Sequence, residues 1–452
     1  MTLIATRPES GAARPYRFPT VVRTTVNGGL VVAADLPGQL LASASLLLDA
    51  GAAREVVGRE GTATVLAKAL EEGTKERDSI AFALALEGLG AELSASVDWD
   101  AFRAGVSVPV DLLPAAVRLL AEATRTPQLD PADVARVRDD EVTGLRMDWA
   151  QPGPRADAAL RADLFGATER YGRPLHGDPD SVAAVTVEDV LAFHSSWLLR
   201  PGVLLVAGDL GRLDLEALGA AAFAGTSGEP LVADGPLGVP VRGTRRTILV
   251  DRPGSVQSTL RLGHRAPHRA HPDYVPMQLA ATVLGGAFTS RLNHLIREVK
   301  GYTYGIRGDF ALSRRFGRFG VSSSVQTAVT TPALTDTIGE IGRTRLDGVT
   351  EDELAVARTW RAGQLTVDMQ TPGSILGALS TLVIHGLPDD YYATLRHQLL
   401  SATVAEVSAA AAEHLHPEGL TLVVEGDAAL IRDELAAVGL GEIVEPDGFE
   451  VS

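Results

Sequence analysis

The sequence predicts an α+β fold built twice: two homologous domains, each a mostly antiparallel sheet packed with helices. Three observations carry this reading. First, short segments recur in the same order at a nearly constant offset. Asp35-Leu-Pro-Gly38 returns as Asp251-Arg-Pro-Gly254, 216 residues on. Thr186-Val-Glu-Asp-Val190 returns as Thr403-Val-Ala-Glu-Val407 at 217, and residues 203–209 return as 421–427 at 218. Asp148 with Pro152-Gly153 matches Asp368 with Pro372-Gly373 at 220. A period this long marks a duplicated domain, since solenoid repeats are far shorter. Second, a chain of 452 residues is too long for one core. Third, strand and helix patterns alternate within each copy.

In the first copy, residues 30–35 and 43–49 are apolar enough for strands, and 62–72 and 78–89 carry helical spacing, the former followed by Gly73. Residues 92–97 and 102–109 alternate as a hairpin. Residues 110–123 and 131–145 are predicted helices; Asp130-Pro131 opens the second with a capping carboxylate and a proline at the first helical position. A short helix over 215–223 has Asp214 as its cap. Residues 224–239, AGTSGEPLVADGPLGV, have linker composition and no periodicity. The predicted domains are therefore 1–228 and 235–452.

In the second copy, residues 284–306 read LGGAFTSRLNHLIREVKGYTYGI. The glycine pair Gly285-Gly286 precedes a predicted helix capped by Thr289 or Ser290. Leu292, Leu295 and Ile296 give that helix one apolar face. Gly301 ends it in the left-handed conformation, and Tyr302, Thr303, Tyr304 and Ile306 are predicted to start a strand. Arg297 in the last turn and Tyr304 beyond the cap can thus be brought together. Spacing alone leaves a bland alternative open, because the helix dipole favours an arginine there and tyrosine is common in strands.

This stretch resembles the second-half signature of the pitrilysin and mitochondrial processing peptidase family of zinc metallopeptidases. The matching residues are Leu284, Gly285, Gly286, Ser290, Arg291, Leu292, Ile296, Arg297, Glu298, Gly301 and Tyr304. The resemblance implies that Arg297 and Tyr304 hold substrate and stabilise the transition state, and that the glycine pair lets a peptide backbone approach closely. In the family, zinc is held by an inverted His-x-x-Glu-His on the first helix, where the spacing puts two imidazoles on one face. Here the frame Gly61, Ala63, Leu66, Leu70, Gly73 and Thr74 survives, but Thr64, Ala67 and Lys68 stand at the His, Glu and His positions. An ammonium there repels Zn²⁺. The family's third ligand, a glutamate, aligns near Thr143-Gly144, with Glu141 close by. The connector GRPLHGDPDSV, holding His176, and the VAGD strand end also match.

Composition narrows the remaining classes. The chain has no cysteine, which excludes disulfides and thiolate sites. A net charge of −16 argues against nucleic acid. No apolar run reaches membrane-spanning length and no signal-like core opens the chain, so a cytoplasmic location is expected. His264, His268 and His271 form a cluster able in principle to bind a metal, but the prolines around them predict an exposed loop. His414 and His416 are expected at the surface.

The resemblance therefore implies a zinc-less subunit without a cofactor of its own. It would not cleave alone. Its expected partner is a homologous subunit with an intact His-x-x-Glu-His that brings the zinc, and the two would close like a clamshell on a peptide substrate. The alternative is a non-enzymatic scaffold or peptide-binding pseudoenzyme, homodimeric in one form.

Overall fold

In the computed structural model, residues 16–228, 235, 237 and 243–445 are described. Most of the 224–239 linker lies outside them. Two six-stranded sheets form the frame. The first comprises β1 (Val21–Val26), β2 (Gly29–Asp35), β3 (Leu41–Leu48), β4 (Ser94–Val97), β5 (Phe102–Pro109) and β6 (Val203–Gly208). Its order is β1-β2-β6-β3-β5-β4. The second comprises β7 (Arg246–Asp251), β8 (Gln257–Ala266), β9 (Ile306–Leu312), β10 (Gly317–Gln326), β11 (Thr421–Gly426) and β12 (Glu442–Val444), ordered β12-β7-β11-β8-β10-β9. Leaving out β1 and β12, the two orders coincide strand for strand. The parallel pair β2–β6 matches β7–β11, and the antiparallel pair β3–β6 matches β8–β11.

The repeated residues do the same work in both halves. Asp35 closes β2 and accepts from the Leu210 N–H at 3.1 Å; Asp251 closes β7 and accepts from the Ala428 N–H at 3.0 Å. Asp209 accepts from the Gly38 N–H at 3.1 Å, and Asp427 from the Gly254 N–H at 2.9 Å. Each pair of carboxylates ties two parallel strand ends to their following turns, where backbone N–H groups have no ladder partner. Thr186 with Asp189, and Thr403 with Glu406, are capping boxes that open equivalent helices.

Each half sends one helix to the other's sheet. Pro154–Phe165 follows Gly153 in the first half, yet Ala156, Ala159 and Leu160 pack on Ile248, Val250 and Val423 of the second sheet. Pro372–Ile384 follows Thr371 in the second half, yet Ile375, Leu379 and Leu382 pack on Val32, Leu47 and Leu205 of the first. The opposite face of each sheet holds its own half's core. A buried ion pair reinforces the first exchange: Arg155 and Glu425 meet at 2.8 Å with side chains 3% and 0% exposed, and Glu425 also accepts from the Gly153 N–H. Among the described residues no helix is long and apolar enough to cross a membrane.

Candidate functional site

The helix Thr62–Ala69 occupies the place where the family resemblance expects zinc ligands. Its N-terminus is capped from outside: Glu55 accepts from the Gly61 N–H at 3.2 Å and the Ala63 N–H at 2.8 Å. Arg170 closes on the other oxygen of that carboxylate at 2.6 Å. Gly61 has φ +97°, and a Cβ there would meet Val182 and the His176 carbonyl, which explains its place in the frame. Ala67 is buried, and Lys68, one of only three lysines, points outward into an ion pair with Glu141. Thr64 Oγ1 lies 3.1 Å from His176 Nδ1. Burial holds the His176 imidazole below its ordinary pKa, against the pull of Glu141. The displaced glutamate thus sits beside the motif, as the sequence suggested, but its partner is an ammonium. A threonine, an alanine and a lysine cannot hold zinc, so no metal fits this helix.

The glycine pair ends the π-helical turn Thr282–Gly286, which extends the helix Tyr274–Ala281. Gly285 is needed for internal packing: a Cβ there would lie 2.6 Å from the Gly308 nitrogen of β9. After the bend at residues 287–290 the chain winds again as a π-helix, Asn293–Val299. Buried Asn293 donates to the carbonyls of Ile306 at 2.9 Å and Ala287 at 3.2 Å, fastening this helix to the start of β9. Ser290 accepts from the Asn293 amide and makes no cap bond to the first turn. Arg291 forks onto Glu353 at 2.7 Å on both nitrogens and donates to the Gly348 carbonyl at 3.0 Å. This arginine of the signature is a tie between segments.

Arg297 and Tyr304 follow. Gly301 has φ +66°, as predicted for the helix stop. The strand, however, starts at Ile306, so Tyr302 to Tyr304 are loop. Thr303 supplies the reason: its hydroxyl lies 2.7 Å from the Ser324 carbonyl and accepts from the Gly305 N–H at 3.1 Å, taking the place of ladder bonds. Tyr302 packs on the second core. Tyr304, between anchored neighbours, is 98% exposed. Arg297 lies with its guanidinium carbon 3.8 Å from the Phe288 ring centroid and donates to Glu298 at 2.7 Å. That bond, with a second one between His294 and the same carboxylate, holds Glu298 below its ordinary pKa. Among the described residues no contact joins Arg297 to Tyr304. Phe288, 73% exposed, was not singled out by the sequence; an aromatic two residues past a glycine pair carries no motif of its own.

The histidines correct the sequence reading. β8 runs on to Ala266, so His264 lies inside a strand, 1% exposed, and burial lowers its pKa to about 3. His414 is not a surface residue either: it is the buried last residue of the helix Val404–His414. His416 is half-buried, and its backbone N–H donates to His264 Nε2 at 3.2 Å.

Comparisons with known proteins agree on one lineage. Residues 30–177 match the insulinase family of M16 peptidases, and residues 184–359 match the peptidase M16 inactive domain. An uncharacterized zinc protease of Mycobacterium tuberculosis is 28% identical over 413 residues, covering 89% of this chain and 93% of that protein. A non-peptidase homolog from Helicobacter pylori is 23% identical over 377 residues, covering 80% and 84%. The crystal structure of a peptidase M16 inactive domain from Pseudomonas fluorescens superposes with TM-score 0.82 at 26% identity, covering 90% of this chain and 98% of that one.

Proposed function

The chain belongs to the M16 peptidase family as a member without the zinc motif, and from that premise we propose that it is one subunit of a two-subunit peptidase. In this reading a homologous subunit with an intact His-x-x-Glu-His holds the zinc, and this chain adds Arg297 and Tyr304 to the shared chamber. The observation that carries the proposal is the display of Tyr304. Its neighbours Tyr302, Thr303 and Gly305 are packed or hydrogen-bonded, while its own ring is 98% exposed. Folding of this chain gains little from an aromatic ring left in water, whereas a second subunit or a peptide gains a rigid one. The two π-helical segments around Gly285 and Arg297 support the same site, since such turns are rare and concentrate where function is exacted.

The chemistry assigned to the pair is electrostatic. The Tyr304 phenol donates to the oxyanion that forms as a peptide bond is attacked, and the Arg297 guanidinium holds a peptide carbonyl. Gly285 and Gly286 shape the same wall, and β9, the last strand of its sheet, offers an edge to which an extended peptide can add.

A second reading, a scaffold or peptide-binding pseudoenzyme, draws on a different observation. Arg297 is already satisfied by Phe288 and Glu298. Catalysis would require that arrangement to open.

The test is reconstitution with a zinc-bearing homologue. The mixture should cleave peptides and this chain alone should not. Tyr304→Phe should lower kcat by ~10²–10³, the usual cost of one oxyanion donor, with KM little changed. Arg297→Lys keeps charge but loses the planar fork, so it should restore activity only in part. Variants that assemble and cleave at the wild-type rate would leave the scaffold reading.

A further inference from the structure

Half of the histidines of this chain gather at one place. Of ten in the sequence, His264, His268, His271, His414 and His416 come from a strand end, the loop after it and the end of a helix some 140 residues away. Within this group, His271, Asp273 and His414 each turn a ligand atom inward, all within 4.8 Å of one another. His414 Nε2 lies 2.7 Å from Asp273 Oδ2, and His271 Nδ1 lies 3.9 Å from the same oxygen. The rings of His271 and His414 meet edge to face at 5.1 Å.

Those two separations bracket the roughly 3.3 Å between neighbouring ligand atoms of a tetrahedral ion with bonds of about 2.0–2.1 Å. Asp273 gives a second, independent sign. It stands at the N-cap of the helix Tyr274–Ala281, where an aspartate ordinarily accepts from the first turn. It makes no such bond, and its carboxylate faces the two imidazoles instead. We propose that His271, Asp273 and His414 form a binding site for a divalent transition-metal ion that pins the start of the 274–281 helix to the end of the 404–414 helix.

Two imidazoles and one carboxylate suit Zn²⁺, Co²⁺, Ni²⁺ or Cu²⁺ better than the all-oxygen cations. Binding replaces two hydrogen bonds, the one between His414 Nε2 and Asp273 and the one that His271 Nδ1 accepts from the Asp273 N–H at 3.2 Å: the Nε2 proton of His414 goes to water, its Nδ1 carries the proton of the neutral imidazole, and each ligand offers a lone pair to the ion. Water completes the shell, since His271 and Asp273 are 32% and 43% exposed. The site is remote in sequence from Thr64 and Lys68, and it is structural, with no part in the proposed cleavage. The competing arrangement is a plain hydrogen bond between His414 and Asp273.

The experiment uses the whole chain stripped with a chelator. Zn²⁺ titrated by calorimetry should bind at one equivalent, Co²⁺ should give a visible d–d band, and the melting temperature should rise with free metal. His271→Gln and Asp273→Asn should each weaken binding at least ~10-fold, the least that even loss of an outer partner costs. His416→Gln should leave affinity intact. Should Asp273→Asn fail to fold, His271→Gln decides, since it leaves the His414–Asp273 hydrogen bond in place. No stoichiometric binding by the wild-type chain, or unchanged affinity in His271→Gln, would overturn the site and leave the hydrogen bond alone.

Discussion

Glu353 shows how much one side chain of the signature segment holds. It accepts the fork of Arg291 and the N–H and hydroxyl of Thr350, and the Arg291 bonds, its largest influence, hold its carboxyl down at about 2. An unfolded glutamate titrates near 4.3. The folded state therefore binds fewer protons across that interval, so its contribution is whole above about pH 4.3 and is lost as pH falls toward 2. Glu353→Gln should flatten the acid dependence of the urea midpoint over that window and change it little at neutral pH beyond a constant offset. At this scale the sequence was informative where a residue type has one good use. Asp35, Asp209, Asp251 and Asp427 were visible as a repeat because each must be a short carboxylate to reach its turn. The loss of zinc chemistry was equally plain, since Thr64, Ala67 and Lys68 have no ligand to give. Burial of His264 and His414 was not legible: prolines flanking a histidine speak of the backbone and leave its depth unstated.

Among elements, the segment from Gly285 to Ile306 is the most exacting. Gly285→Ala places a methyl group against the backbone of Gly308. Overpacking of this kind costs about 1–3 kcal/mol, and equilibrium denaturation should show it. Because the clash is with β9, the variant should also disturb the loop bearing Tyr304, which fluorescence or hydrogen exchange across residues 301–306 can follow. The helix stop at Gly301 was legible because a left-handed residue at a helix end favours glycine. The strand start was not: Tyr302 to Tyr304 have strand propensity, but Thr303's hydroxyl displaces the ladder. The π-helical winding was hidden too, because the spacing of Leu292, Leu295 and Ile296 suits an ordinary helix as well. Both ends of β5, Phe102–Pro109, were legible, since alternation with an apolar inner face fixes a strand closely.

For the whole molecule, two domains were legible in the 216–220 offset, but the exchange of helices between them was not. Apolar faces on Pro154–Phe165 and Pro372–Ile384 say that each helix must be covered; they do not say by which sheet. The arrangement resembles two swapped protomers whose ends have been joined. Cohesion of the halves then rests on Leu160, Leu379 and their neighbours, and on Arg155 with Glu425, and the covalent tether through residues 229–242 is expected to be dispensable for it. A protease site introduced into that tether and cut should leave both pieces eluting together on gel filtration, at the mass of the intact chain, until denaturant is added. Pieces that separate on cutting would show that the join, and not the interlock, holds the halves. If they stay together, a gene encoding half of this chain could have worked as a dimer before any fusion took place.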